Sequence, residues 1–161
     1  MPKFIIEQIA INPPKPKEAE ELLKAIGLGA TVFDTVHAKG TVFDDVAENK
    51  AHLSFAYQNN PNLEFETLNY IDGNNWLDDS IVERSGSVSH IGMHIEAEEL
   101  VEWLDFFDAR KIKIAQEVKT LSHQNEFLIE TGRRYHYVIF DTREILGVDL
   151  KFIIRIKGAN E

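Results

Sequence analysis

Along this chain, the spacing of hydrophobic and polar positions alternates between strand-like and helix-like in the same order in both halves. Apolar, β-branched runs at 4–11 and from Val88 onward predict strands that are largely buried. A segment with apolar side chains at helical spacing follows each run, at 18–26 in the first half and at 97–109 in the second. Strand-like runs come after each helix, so the predicted order is strand, helix and three strands, repeated once. A repeated element order is most simply an internal duplication.

The two halves also share a short sequence pattern. Gln8-Ile9-Ala10-Ile11 on the first strand returns in modified form as His90-Ile91-Gly92-Met93 at the start of the second half. Pairing two such modules brings equivalent strands together, so polar residues at equivalent positions converge on one shared cavity. We predict a single α+β domain with one module at about 1–72, a connector at about 73–86 and a second module at about 87–161.

Turn residues set the boundaries of the remaining strands. Ala38-Lys39-Gly40 is interpreted as a hairpin turn, and residues 59–62 and 122–125 are interpreted as turns as well. The connector holds one large apolar residue, Trp76, which is either an anchor for the crossover or part of a lid over a pocket. The other strands are predicted at 31–37, 41–46, 51–58 and 63–71 in the first half, and near 112–121, 134–141 and 148–157 in the second.

Composition narrows the classes of partner. The net charge of −10 argues against a nucleic-acid-binding surface, because affinity for phosphates comes mainly from clustered Lys and Arg. The chain has no Cys, which excludes disulfides, thiolate metal sites and a Cys nucleophile. No stretch approaches the roughly 18 apolar residues that a membrane helix needs, and residues 1–4 do not begin an apolar signal segment. We therefore expect a cytoplasmic protein with no nucleic-acid or membrane partner.

Three predicted strands carry one apolar and one polar face. Side chains in a strand alternate between the two faces, and the apolar faces are expected to pack on helices. A polar face that recurs on three strands of a small domain meets either bulk water or a polar pocket. The polar faces hold Asn62, Glu64, Glu66, Leu68 and Tyr70 on one strand, His90, Gly92, His94 and Glu96 on another, and Asp149, Lys151, Ile153 and Arg155 on the last.

The segment Ser89-His90-Ile91-Gly92-Met93-His94-Ile95 resembles the metal-ligand strand that opens the second module of vicinal oxygen chelate proteins. That superfamily includes glyoxalases, bleomycin-resistance proteins and extradiol dioxygenases, and its element order is similar to this chain over nearly the whole length. The resemblance implies two βαβββ modules whose eight strands form an open barrel around a metal, and a homodimer. The ligand positions that it implies are Gln8, Glu64, His90 and residue 151, where the family has a carboxylate and this chain has Lys151.

An imidazole, a carboxylate and an amide oxygen form a plausible site for Fe²⁺, Mn²⁺, Ni²⁺ or Zn²⁺. Such a metal would act as a Lewis acid on a substrate that carries two adjacent oxygens, and Glu64 could instead serve as a base. Lys151 opposes this arrangement, because an ammonium about 4 Å from a dication is repelled by roughly 8 kcal/mol at an effective dielectric constant near 20. Lys151 can swing outward, lose its proton, or pair with Glu64 in a site without metal, and the sequence leaves all three open.

Other polar side chains are candidates for a ligand site. His136 alternates with Tyr135 and Tyr137, so it is either an acid or base at the cavity or a packed or surface histidine. His123 lies in a turn that could overhang the cavity mouth, although a plain turn residue is the simpler interpretation. The catalytic candidates are Glu64 and His136, and the substrate-binding candidates are Lys151, Tyr70, His94 and Tyr137, while His37 and His52 are interpreted as structural.

Three classes of function fit these observations. The first is a metal-dependent lyase, isomerase or dioxygenase that acts on a small oxygenated substrate. The second is a binding protein that sequesters a small molecule without chemistry, which the cationic residue at position 151 favours. The third is an accessory protein on an emptied scaffold, with another protein as its partner. Fold-level resemblance alone does not decide among them, because function depends on the site and not on the scaffold.

Overall fold

The computed structural model describes residues 2–28, 31–57, 63–76, 88–121, 129 and 131–158. The predicted turns at 59–62 and 122–125, the latter with His123, and most of the connector lie outside these residues. Within the described residues, no helix is long and apolar enough to cross a membrane. The elements are β1 (Gln8–Ile11), α1 (Pro16–Ala25), β2 (Thr31–Val42), β3 (Asp45–Tyr57), β4 (Glu64–Gly73), β5 (Val88–Ile95), a 3-10 turn (Ala97–Glu99) that leads into α2 (Leu100–Asp108), β6 (Ile114–Thr120), β7 (Arg134–Phe140), α3 (Arg143–Leu146) and β8 (Asp149–Ile156).

The strands close into a barrel in the order β1-β4-β3-β2-β6-β7-β8-β5. β1 pairs in parallel with β4, and β5 pairs in parallel with β8. β1 and β5 pair antiparallel, with Gln8 opposite Gly92 and Ala10 opposite His90. An antiparallel pair with this register relates Gln8 to His90 by a local twofold axis, as the repeated sequence pattern predicted. The predicted α+β class and eight-stranded barrel are confirmed, but the barrel is closed and not open as predicted, because β1 pairs with β5 and β2 pairs with β6.

The larger apolar core lies between α2 and the strands of the second half. Trp103 and Phe107 are the buried residues of α2, and their rings pack on Phe140 and Phe152 with centroid distances of 4.1–6.2 Å. Alternation puts Met93, Ile95 and Ile154 on the same side of the sheet. The apolar faces predicted for β5 and β8 are therefore confirmed, and their polar faces point into the barrel.

Helix α1 packs less closely than its sequence predicted. Its apolar positions were expected to cover the first half of the sheet, but no residue of α1 is buried, and Leu22 and Ile26 are 63% and 62% exposed. A side-chain contact between His52 on β3 and Glu20 ties the helix to the sheet. His52 is thus a structural residue, as its lack of patterned partners indicated.

The predicted hairpin turn at Ala38-Lys39-Gly40 is wrong. β2 continues through these residues to Val42, and the chain turns at Phe43 and Asp44, which have φ values of 43° and 67°. Gly40 instead allows β2 to lie close to β6, since a Cβ at this position would lie 1.8 Å from the carbonyl oxygen of Glu117 on β6. The first strand is also shorter than predicted, because its ladder with β4 begins at Gln8 and not at residue 4.

Trp76 closes one end of the barrel. Its backbone N–H donates to Gln116 Oε1 at 2.7 Å, and its ring meets Phe43 edge-on at a centroid distance of 4.7 Å. The guanidinium carbon of Arg143 lies 3.7 Å from the ring centroid of Trp76, and Arg143 Nη2 donates to Asp149 Oδ2 at 2.9 Å. Among the two interpretations of Trp76, these contacts favour the anchor.

Candidate functional site

Four neighbouring strands bring the four implied ligand positions together inside the barrel. Gln8 on β1 lies opposite Glu64 on β4, and its Nε2 donates to Glu64 Oε1. His90 Nε2 on β5 lies 2.9 Å from Gln8 Oε1, and Lys151 Nζ on β8 lies 3.5 Å from His90 Nε2. A fifth side chain joins them, because Glu66 Oε2 is 3.2 Å from His90 Nε2. The polar faces of these strands thus form one cluster.

The acceptors in this cluster determine which atoms carry protons. An ionised carboxylate only accepts, so Glu64 takes an N–H from Gln8, and Gln8 presents its oxygen to His90. His90 Nε2 must then donate, and His90 Nδ1 lies 3.1 Å from the Ser89 hydroxyl oxygen. The imidazole is fully buried. His90 Nε2 therefore carries a proton, and no lone pair is available there to a metal.

Lys151 is the cation of the cluster. Its Nζ lies 3.6 Å from Glu66 Oε2, and the two side chains are 7% and 2% exposed. The same Nζ lies 4.5 Å from the ring centroid of Tyr137, a geometry that attracts a cation to the ring face. Of the three alternatives for Lys151, the structure has the ion pair, with the correction that the described partner is Glu66 and not Glu64.

The local twofold axis explains this pairing. His90 lies opposite Asp149, as Gln8 lies opposite Glu64, so Asp149 is the counterpart of Glu64 by register. Lys151 is likewise the counterpart of Glu66. Asp149 is fully buried, but its carboxylate accepts from Arg143 at the closed end of the barrel. The second half therefore contributes an ammonium to the cluster where the first half contributes a carboxylate.

Burial and charge act against each other on these groups. Burial raises the pKa of the Glu66 carboxyl, but the Lys151 ammonium and the contact with His90 outweigh it, so the pKa lies below its ordinary value. Burial lowers the pKa of His90, and Lys151 lowers it further against the opposing effect of Glu66. Burial also raises the pKa of the Tyr137 hydroxyl well above its ordinary value. Glu66 is thus an anion, and His90 and Tyr137 are neutral near pH 7.

The cluster does not fit the divalent metal that the resemblance implies. A metal would need the lone pair of His90 Nε2, which carries the proton donated to Gln8, and it would sit beside the Lys151 ammonium. Metal binding would have to move the proton from His90 Nε2 and displace the Lys151 ammonium. The repulsion between that ammonium and a dication is by itself roughly 8 kcal/mol at 4 Å. Across the part of the chain that the structure describes, no group of three or more His, Asp and Glu side chains is arranged to hold a metal ion.

A cavity of about 460 Å³ fills the barrel beside this cluster. This volume is in the range of small-molecule sites. Its mouth is marked by the exposed residues Thr31, His94 and Arg133, and its closed end by the buried residues Asn49 and Gln116. The wall between them is mainly apolar and aromatic. The predicted substrate-binding residues Lys151, Tyr70, His94 and Tyr137 all line this cavity, as do Gln8, Glu64 and Glu66.

His136 does not line the cavity. It alternates with Tyr135 and Tyr137, which face inward, so its side chain lies on the outer face of β7. There its Nε2 lies 2.8 Å from Glu117 Oε1, and this hydrogen bond is the main reason that the pKa of Glu117 lies below its ordinary value. The predicted acid or base role of His136 has no geometric support, because the side chain is on the wrong side of the strand.

Three buried lining residues with polar side chains were not singled out from the sequence. Glu66 shares a face with Glu64, so alternation signalled its position but not its partner. Asn49 and Gln116 lie on long strands among polar and charged neighbours, and nothing in the local sequence separates them from surface residues. Only the closure of the barrel puts them at the end of the cavity.

The chain has the vicinal oxygen chelate fold. It is similar over 98% of its length to 98% of the hypothetical protein BH1468 from Bacillus halodurans C-125, with a TM-score of 0.55 and 11% identity. It covers 88% of methylmalonyl-CoA epimerase from Mycobacterium tuberculosis with 94% of its own length, a TM-score of 0.57 and 8% identity. Over 96% of its length it matches 49% of 4-hydroxymandelate synthase from Streptomyces coelicolor, with a TM-score of 0.56 and 11% identity.

These similarities establish the fold and not the activity, because identities of 8% to 11% are too low to transfer a function. No protein-family model matches the sequence. No curated protein matches it significantly either.

Proposed function

We propose that this protein binds a small oxygen-bearing molecule in its barrel cavity without a metal ion, with the Lys151 ammonium as the fixed positive charge of the site. The observation that carries this proposal is the position of Lys151 Nζ, which lines the cavity and lies 3.6 Å from Glu66 Oε2. Among the described residues, Glu66 is the ion-pair partner of this ammonium, and His90 Nε2, 3.5 Å away, holds a proton and does not accept. An ammonium has three N–H donors, so donors remain for an oxygen of the ligand.

The lining of the cavity supports an amphipathic ligand. Phe33, Phe55, Tyr135 and Tyr137 supply aromatic surface, and the Tyr135 and Tyr137 rings stack at a centroid distance of 5.9 Å. Sites of this kind bind mainly through apolar contact and are oriented by a few polar groups. This aromatic surface favours a flat ligand with an oxygen held near Lys151.

The test compares acetophenone with ethylbenzene, which differ only in the carbonyl oxygen. Protein treated with EDTA is expected to bind acetophenone, and added Mn²⁺ or Zn²⁺ should be neither taken up stoichiometrically nor required. The double variant Lys151→Met with Glu66→Gln, which removes both charges together, should weaken acetophenone binding by about tenfold, the worth of one charge-assisted hydrogen bond. Ethylbenzene binding should not change. Titrations followed by ¹H–¹⁵N NMR measure all four affinities.

Two results would contradict the proposal. If acetophenone binds only after a divalent ion is added, the site is a metal site and Lys151 swings outward. If the double variant weakens both probes equally, Lys151 shapes the cavity without contacting the oxygen. A charge-neutral pair of substitutions is used because the single Lys151→Met variant leaves a buried anion and is expected to be unstable.

A second candidate is proton transfer next to a carbonyl, which the presence of the Glu64 carboxylate in the same cavity favours. One structural neighbour is a Streptomyces coelicolor methylmalonyl-CoA epimerase in complex with 2-nitronate-propionyl-CoA. In this chain, Glu64 would take a proton from the carbon beside a carbonyl, the C–H electrons would move to the oxygen, and Lys151 would hold that enolate oxygen until the proton returned.

Incubation of EDTA-treated protein with methylmalonyl-CoA in D₂O tests this candidate by ¹H NMR. Deuterium should replace the α-proton at least tenfold faster than in buffer, and Glu64→Gln should abolish the acceleration while acetophenone binding is retained. An exchange rate equal to that of buffer would remove this candidate for that substrate and leave the binding function in place.

A further inference from the structure

The closed end of the cavity holds a buried amide whose nitrogen has no partner in the part of the chain that the structure describes. Asn49 on β3 is 3% exposed and lines the cavity. Its Nδ2 has no hydrogen-bond partner among the described residues. Buried polar groups in folded proteins nearly always have partners, because an unpaired one loses its hydration without replacement. The amide nitrogen of Asn49 is therefore a buried donor that makes no hydrogen bond to the described part of the fold.

The neighbouring polar groups of the closed end are already used. Gln116 is 1% exposed, and its Oε1 accepts from the backbone of Trp76 while its Nε2 lies 3.3 Å from Tyr70 Oη. Gln116 thus holds the end of the barrel together. Asn49 makes no such link, although the surrounding wall, with Ala38, Ala51 and Leu68, is apolar.

We infer that Asn49 is the second polar contact of the bound molecule and that it hydrogen-bonds an uncharged acceptor oxygen, a carbonyl or hydroxyl, at the closed end. This inference rests on the proposed function. It assigns the ligand a class: a flat molecule with one oxygen near Lys151 and another, uncharged, at its deep end. A carboxylate is excluded from the deep end, because the described wall there offers no cation to accompany a buried charge.

Three matched probes count the polar contacts of the bound molecule. para-Diethylbenzene has no oxygen, para-ethylacetophenone has one carbonyl, and para-diacetylbenzene has one at each end; the corresponding biphenyls cover a longer span. In the wild type, each added carbonyl should tighten binding by about tenfold. Because para-ethylacetophenone can bind in either direction, Asn49→Leu and the charge-neutral Lys151 and Glu66 double variant should each keep the gain from one carbonyl and abolish the gain from the other, and the two changes combined should abolish both gains.

A stability measurement shows whether Asn49 has a merely structural role. Without ligand, Asn49→Leu removes an unpaired buried amide, so its urea midpoint should equal or exceed that of the wild type. The matched control is Gln116→Leu, which leaves the Trp76 N–H unpaired and should lower the midpoint.

The possible outcomes are distinct. If no probe binds the wild type, the cavity does not take small molecules, and the proposed function fails together with this inference. If all probes bind and Asn49→Leu leaves every affinity unchanged, the proposed function stands and the assignment of Asn49 fails. A clear loss of stability in Asn49→Leu overturns the assignment as well, because it would show that the amide supports the fold.

Discussion

Lys151→Met is expected to lower the free energy of unfolding by about 3–5 kcal/mol at pH 7, the usual consequence of removing one partner of a buried ion pair. Met keeps the length and most of the volume of the Lys side chain, so the loss reports on charge and not on packing. The carboxylate of Glu66, whose side chain is 2% exposed, is left without the ammonium beside it. Urea unfolding followed by circular dichroism measures the difference.

The same variant should change how stability depends on pH. In the wild type the pKa of Glu66 lies below its ordinary value of 4.5, so the carboxylate contributes stability above that value, which is lost as the pH falls through the lowered pKa. Without Lys151, burial acts with less opposition and raises the pKa of Glu66. The destabilisation should then be largest near pH 7 and should shrink as the pH falls towards 4.5, because protonation removes the unpaired charge.

Glu66→Gln in the Lys151→Met background is the control for this prediction. The amide has no charge to leave unpaired, so the double variant should regain at least about 2 kcal/mol of the loss. Equal unfolding free energies for the single and double variants, or a loss in the single variant that does not depend on pH, would show that Glu66 and Lys151 are not energetically coupled.

Local periodicity predicted most of the barrel. The strands of the second half and α2 agree with the predicted ranges to within two or three residues. Each of these elements buries one apolar face, and the buried faces include Trp103, Phe107, Phe140 and Phe152. The β2–β3 hairpin could not be placed in the same way. Its turn uses positive φ values at Phe43 and Asp44, while Gly40, the residue that signals a turn in the sequence, is needed for contact between strands.

The candidate site was predictable only as far as faces and equivalent positions. The resemblance to vicinal oxygen chelate proteins implied Gln8, Glu64 and His90 as one set, and alternation placed Glu64 and His90 on polar strand faces. The partner of Lys151 was not predictable, because Glu64 and Glu66 share a face and only the register of β5 with β8 makes Glu66 the counterpart of Lys151. For His136 the sequence left a cavity role and a packed or surface role open, and alternation with the inward-facing Tyr135 and Tyr137 puts it on the outer face.

Lys151 stands where the family has a carboxylate, and this exchange changes which ligands the cavity can bind. In a metal site, neutral and anionic ligands surround a cation that comes from solution. Here the cation is part of the chain, and the remaining groups of the cluster hydrogen-bond one another around it. We propose that a site built this way binds its ligand without a metal ion.

Arg143→Met is expected to lower the free energy of unfolding by about 3 kcal/mol, because it leaves the Asp149 carboxylate buried and unpaired. Asp149 has a side-chain exposure of 1%, and Arg143 Nη2 donates to it at 2.9 Å. The loss of the contact with the Trp76 ring is the smaller part of the effect, since a cation over an aromatic ring contributes about 0.5–1 kcal/mol at partly exposed sites.

Arg110→Met is the matched control for this variant. The guanidinium carbon of Arg110 lies 3.7 Å from the ring centroid of Phe106, the same distance as in the Arg143–Trp76 pair, but Arg110 is exposed and its one described hydrogen bond is to the Phe106 carbonyl oxygen. Its replacement should cost less than about 1 kcal/mol. Urea unfolding of both variants separates the two contributions. Equal losses would mean that the ring contact, and not the buried carboxylate of Asp149, holds Arg143 at the closed end of the barrel.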